Sequence, residues 1–124
     1  MASVLVLSAD LMFGSRLLSS LSEAGHEAEL IGSEAALRGR LTDGGRPFPD
    51  ALVADLTDDR LDGASMLEAL RAEDLLGGLR SLAFFSHVET AVRERARQAG
   101  FELVVPRSRM AREAATVLDG LLAG

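Results

Sequence analysis

Residues 51–63, ALVADLTDDRLDG, decide the fold: a continuous apolar run, Ala51 to Ala54, ends at Asp55 and gives way to a cluster of carboxylates. Uninterrupted short apolar runs suit strands covered on both faces, as in a parallel sheet flanked by helices, although periodicity alone does not separate such a strand from a buried helix. The polar break places Asp55 at the carboxyl edge of the predicted strand. In open α/β sheets that edge, where strand order reverses, is where ligands bind. Asp55 is therefore the first candidate functional residue.

Outward from this stretch the same grammar repeats. VLVL (Val4 to Leu7) is a first apolar run, closed by Ser8, Ala9 and Asp10. Met12, Phe13, Leu17, Leu18, Leu21 and Ala24 follow at helical spacing, with Gly25 as the stop. EAELI (27–31) reads as a weaker second strand, after which Ser33 caps a short helix carrying Ala36, Leu37 and Leu41. TDGGRPFP then marks a loop. Beyond the central stretch, Asp62 and Gly63 open a helix with Met66, Leu67 and Leu70 on one face, predicted to run to Gly77-Gly78. SLAFF (81–85) is the fourth strand, followed by Ser86 and His87. Val92, Ala96 and Ala99 define a fourth helix, with Glu89 and Arg93 spaced for a pair on its wet side. FELVV (101–105) is the fifth strand, and Met110, Ala114, Val117, Leu118 and Leu121 stripe a last helix.

Five strands alternating with five helices predict a flavodoxin-like three-layer α/β fold, (βα)5, with a parallel five-stranded sheet in order 2-1-3-4-5. The switch point then lies between strands 1 and 3, where Ser8, Ala9, Asp10 and Asp55 are expected to meet. With 124 residues, the chain is read as a single domain, 1–124.

Composition narrows the function. The chain has no cysteine, so disulfides and thiolate metal sites are excluded, in keeping with a reducing compartment. The opening MASVLVLSAD lacks a basic leader with a long apolar core, and no apolar run approaches the ~20 residues of a membrane span. A cytoplasmic protein without membrane contact is expected. There are thirteen arginines and no lysine, a bias that codon usage accounts for. The net charge of −6 divides into −8 over residues 1–78 (six Arg, fourteen Asp and Glu) and +2 over residues 79–124 (seven Arg, five acids). An acidic chain argues against direct, sequence-independent nucleic-acid binding, which depends on neutralising phosphates. The basic balance at the far end suits an acidic partner.

Read in order, the chain resembles the receiver domain of bacterial response regulators over essentially its whole length. The resemblance rests on residues: VLVL, then a helix and AGHE (Ala24 to Glu27) at the family's usual distance; Asp55 eight residues before the glycine of Asp62-Gly63; Ser86 after strand 4; and Ala99-Gly100 before strand 5. It implies that Asp55 is the phospho-acceptor, with Ser86 and Arg107 as phosphoryl contacts. The departures are as informative. Family receivers hold Mg²⁺ through an acidic pair after strand 1, because a hard cation requires oxygen ligands and neutralises charge as a phosphoryl group arrives. Here the pair's positions are Ser8 and Ala9, and Asp10 lies one place on. Asp59 replaces the loop proline. Pro106 precedes Arg107 where the family's proline follows its lysine, so Arg107 aligns only without a shift. The strand-5 aromatic is an aliphatic, Leu103 or Val104.

Each of these residues also has a plain structural reading. Asp55 can be a carboxylate that caps the strand end, Ser86 a hydroxyl that satisfies backbone, and His87 a polar rim residue. Asp58, Asp59 and Asp62 lack the glycine and distal glutamate of a calcium loop and fit a helix amino terminus. His26 and His87 support no zinc site. Gly14 stands alone, without a glycine-rich phosphate cradle. Arg93, Arg95, Arg97, Arg107, Arg109 and Arg112 gather on helices 4 and 5.

The expectation is thus a degenerate receiver, a pseudo-receiver, acting in two-component signalling as a protein-interaction module. It is not expected to be an enzyme or to need a cofactor. Its partner is a signalling protein or a second copy, making a homodimer, met through helix 4, strand 5 and helix 5. The alternative is a phosphorelay receiver that takes phosphate on Asp55, the one reading that calls for Mg²⁺. An alternative of another class is a flavodoxin-like enzyme or small-molecule binder using Ser8, Asp10, Asp55 and Ser86.

Overall fold

The structure, a computed structural model, describes residues 1–86 and 90–124. His87 and the Glu89–Arg93 pair fall at least partly outside the described residues. The elements run β1 (Ser3–Leu7), α1 (Leu11–Glu23), β2 (Glu27–Ile31), α2 (Glu34–Leu41), β3 (Ala51–Asp55), α3 (Gly63–Ala72), β4 (Arg80–Phe85), α4 (Thr90–Ala99), β5 (Leu103–Pro106) and α5 (Arg107–Ala123). Every strand pair is parallel, in the order β2-β1-β3-β4-β5. That is the order expected from the alternation.

Side chains alternate across each strand, so each apolar run feeds two cores. Val4, Val6, Val53, Leu82 and Phe84 pack against Phe13, Leu17 and Leu21 of α1 and Met110, Val117 and Leu118 of α5. Leu5, Leu7, Leu52, Ala83 and Phe85 face Leu37 of α2, Met66, Leu67 and Leu70 of α3, and Ala96 of α4. The layering follows from hand. The chain steps outward from β1 to β2 and then back through β3 to β5, and right-handed crossovers in opposite directions cover opposite faces. No helix among the described residues is long and apolar enough to cross a membrane.

Local chemistry sets the helix starts. Asp10, Ser33 and Asp62 each accept a backbone N–H three residues on, from Phe13 (3.0 Å), Ala36 (3.1 Å) and Ser65 (3.1 Å). Two ends differ from the reading of the sequence. The third helix stops at Ala72, not at Gly77-Gly78, because Asp74 adopts a left-handed φ of 58° and the N–H groups of Asp74 and Leu75 return to the carbonyls of Arg71 (3.0 Å) and Leu70 (2.9 Å). An aspartate does there what glycine usually does. The fifth strand begins at Leu103, not at Phe101. Phe101 spends its N–H on the Ala96 carbonyl (3.2 Å), closing α4 around Gly100 with its φ of 103°, while its ring enters the core. The stripe on α5 is buried as expected, although the helix is kinked at Glu113 (φ −137°, ψ 33°).

Candidate functional site at the carboxyl edge

Asp55 is the last residue of β3, paired in register with Phe84, and Ser8 follows β1 with its N–H on the Ile31 carbonyl (3.0 Å). Adjacent parallel strands bring these two tips together. The Ser8 hydroxyl donates to Asp55 Oδ2 at 2.7 Å and accepts the Asp10 N–H at 3.1 Å. On the other carboxylate oxygen, Oδ1 accepts the Thr57 N–H at 2.8 Å and the Thr57 hydroxyl as well. Asp55 is 1% exposed and Ser8 is fully buried. Both carboxylate oxygens are thus satisfied by neutral donors inside the fold.

Gly14 closes this corner. A Cβ there would lie 2.8 Å from Leu30 Cδ1 and 3.7 Å from Ser8 Cβ, so its role is close packing of α1 against β2, not phosphate binding.

The structure joins only part of the predicted constellation. Ala9 is half-buried and offers no side-chain oxygen. Asp10, expected to meet Asp55 at the switch point, is turned outward: Oδ1 caps α1, and Oδ2 stands 3.8 Å from Arg107 Nη2. The cap explains the turn, since a carboxylate bound to the first helical turn is not free to face the sheet. Arg107 is the first residue of α5, and its guanidinium lies 3.9 Å above the Phe13 ring, which meets Phe84 at 5.3 Å. The hydrogen bonds to Asp55 among the described residues come from Ser8 and Thr57, not from Arg107 or Ser86. Ser86 is half-buried just beyond β4.

Reading the sequence did not find Thr57. The signal was present: Asp-Leu-Thr leaving a strand is the pattern by which an aspartate accepts the N–H two residues ahead.

A magnesium ion does not fit this donor set. Ser8 sets a neutral hydroxyl against Asp55 and Ala9 has no side-chain oxygen, where a hard dication takes oxygen ligands, carboxylates foremost. Among the described residues no group of three or more His, Asp or Glu is arranged to hold a metal ion. Asp58 and Asp62 of the following loop are engaged elsewhere. Asp58 pairs with Arg60, whose hydrogen bonds hold its carboxyl down at about 2, and the Ser65 N–H and hydroxyl hold the α3-capping Asp62 below the usual range.

Of the basic cluster, Arg95 crosses to Glu68 on α3 (2.6 Å) and Arg109 faces Glu113 (3.6 Å), while Arg97 and Arg112 are exposed. His26 is built into the fold: Nδ1 accepts the Ala2 N–H at 3.1 Å, which leaves Nε2 to donate to Asp119 at 2.9 Å.

No family model matches the chain, and no curated protein does either. Solved structures do. The receiver domain of the Francisella response regulator 1452 superposes with a TM-score of 0.80 at 16% identity, covering 99% of this chain and 98% of that one. The signal receiver domain of the putative response regulator NarL from Mycobacterium tuberculosis gives 0.79 at 21%, covering 99% and 97%. A CheY-like receiver domain protein from Methanospirillum hungatei JF-1 gives 0.81 at 15%, covering 99% and 94%. The chain therefore has the flavodoxin-like fold of receiver domains.

Proposed function

We propose that this chain is a receiver-fold signalling domain that acts by binding another protein and does not take phosphate on Asp55 through Mg²⁺. The observation that carries the reading is the Ser8–Asp55 hydrogen bond. It puts a neutral hydroxyl where a metal-binding carboxylate would be needed, and with Thr57 it occupies both oxygens of the would-be nucleophile. A phosphoryl donor brings several negative charges. Without a cation to offset them, the approach to a second anion is disfavoured, and both oxygens of the buried carboxylate are already hydrogen-bonded. The same closure speaks against a small-molecule binder or enzyme at this edge, since neither Asp55 nor Ser8 is open to a ligand.

The face we assign to a partner, on the resemblance to receiver domains, is α4, β5 and α5. Exposed Arg97 and Arg112 suit a signalling protein with acidic side chains or an acidic patch on a second copy.

Incubation with acetyl phosphate, or with beryllofluoride, in the presence of Mg²⁺ tests the reading by intact mass and amide NMR. The expected result is no mass gain and no shift near residues 8, 55 and 57. A gain confined to Asp55 and abolished by Asp55→Asn overturns it in favour of a phosphorylatable receiver.

A further inference from the structure

At the opposite end of the sheet a cavity of about 420 Å³ lies between the amino ends of β1 and β2 and the connection from α2 to β3. Its walls include Ser3, Glu27, Glu29, Arg40, Arg46 and Pro47. Arg40, in the last turn of α2, is 7% exposed. A guanidinium is permanently charged and has five N–H groups, so burying one calls for several acceptors. Arg40 has little of this. Nε reaches Glu29 Oε1 at a long 3.3 Å, the same oxygen that Arg46 Nη2 takes at 2.7 Å, and Arg40 Nη1 is buried without a partner among the described residues.

The charge is also unbalanced. Burial opposes ionisation of Glu29, but hydrogen bonds from Arg46 and Arg40 outweigh it and hold the carboxyl below its usual range. Glu29 is thus a full anion shared by two cations, and the trio keeps one uncompensated positive charge. Arg46 is half-exposed, and its single bond to Glu29 leaves other N–H groups for an incoming group. Glu27 is a second carboxylate on the cavity wall, but it is exposed, so solvent screens it more than it does the buried Arg40. The volume falls in the range of small-ligand pockets.

We propose that Arg40, with Arg46 at the mouth, forms a binding site for a small oxyanion, a carboxylate or a phosphate, at the edge of the sheet remote from Asp55. The forked geometry of a guanidinium matches both groups. A lone water would satisfy a donor but leave the charge unanswered.

Titration with sodium phosphate and, separately, sodium acetate, against sodium chloride at matched ionic strength, tests this by NMR of the arginine Nε–H groups and backbone amides. The expected result is a saturable shift at Arg40 Nε–H and at the amides of Ser3 and Glu29 with one of the two anions; which anion acts separates the phosphate source from the carboxylate source. Arg46→Gln, at a half-exposed position, is expected to weaken binding about tenfold or more, and Arg40→Met to abolish it. Shifts reproduced by chloride, no saturation with either anion, or unchanged affinity in Arg46→Gln overturn the site, and that last variant decides even if Arg40→Met does not fold.

Discussion

Asp55 and Arg40 are buried charged residues at opposite ends of the sheet, and they are treated in opposite ways. Asp55 is met by the hydroxyls of Ser8 and Thr57 and by the Thr57 N–H. Arg40 keeps one long bond to a carboxylate it shares and leaves Nη1 unanswered among the described residues. Burial alone therefore does not mark a functional charge. A carboxylate with a donor on each oxygen is held within the framework, whereas a guanidinium with empty donors has room for a partner. At the edge that the fold's topology recommends for chemistry, Asp55 and Ser8 are the buried, hydrogen-bonded corner.

The comparison breaks first at Ser8. Replacing Ser8 and Ala9 together by Asp puts like charge against Asp55 in a buried site and is expected to destabilise the metal-free protein by about 3 kcal/mol in urea melts. Mg²⁺ should then restore stability with the logarithm of its concentration, by about 2.7 kcal/mol at a hundredfold excess over its dissociation constant. An equal Mg²⁺ response in the unaltered chain would break the contrast, and no response in the double variant would show that positions 8 and 9 do not face the pocket.

A smaller effect sharpens it. Ser8→Ala strips a charged, buried acceptor of its partner and should cost about 2 kcal/mol. Arg40→Met exchanges an under-satisfied charge for apolar volume, while Arg46 still covers Glu29, and should stay within about 1 kcal/mol of the parent or stabilise it. Equal losses in the two variants would erase the distinction between a filled and an unfilled charge.

The smallest effect concerns the loop after Asp55. Asp62→Ala removes the cap of α3 and should cost about 1 kcal/mol. The carboxyls of Asp58 and Asp62 are both depressed in the folded state, so their contribution is whole above the unfolded value of 3.8 and declines as pH falls, for Asp58 through about 2. Acid melts should show stability decreasing below about pH 4, less steeply in Asp62→Asn. A parent melt that is flat between about pH 4 and pH 2 would show that these acids serve no structural purpose.

Much of this was legible in one dimension. Apolar runs ending in polar residues marked the strands, and Ser33 and Asp62 announced their helices. The misreadings share one cause. Asp74 ends α3 and Phe101 closes α4 through backbone bonds that refer to residues a full turn back, which composition does not display. At the site, Asp10 was identified as an acid near the sheet edge, but which way it points depends on the helix it caps. Arg40 gave no signal at all, since an arginine near the end of a short helix reads as solvated.

By itself the sequence determined the layered parallel sheet, the strand order and the arrival of Asp55 at the switch point, because periodicity and punctuation act locally and the right-handed crossover leaves few ways to connect the pieces. It also determined what position 9 lacks, since alanine has no oxygen to offer. Only the tertiary structure decided that Ser8 and Thr57 hydrogen-bond the two oxygens of Asp55, that Asp10 and Arg107 look away from it, and that Arg40 is buried short of partners. Those outcomes depend on side-chain direction and on contacts between residues tens of positions apart, and such contacts exist only once the sheet has brought its strands together.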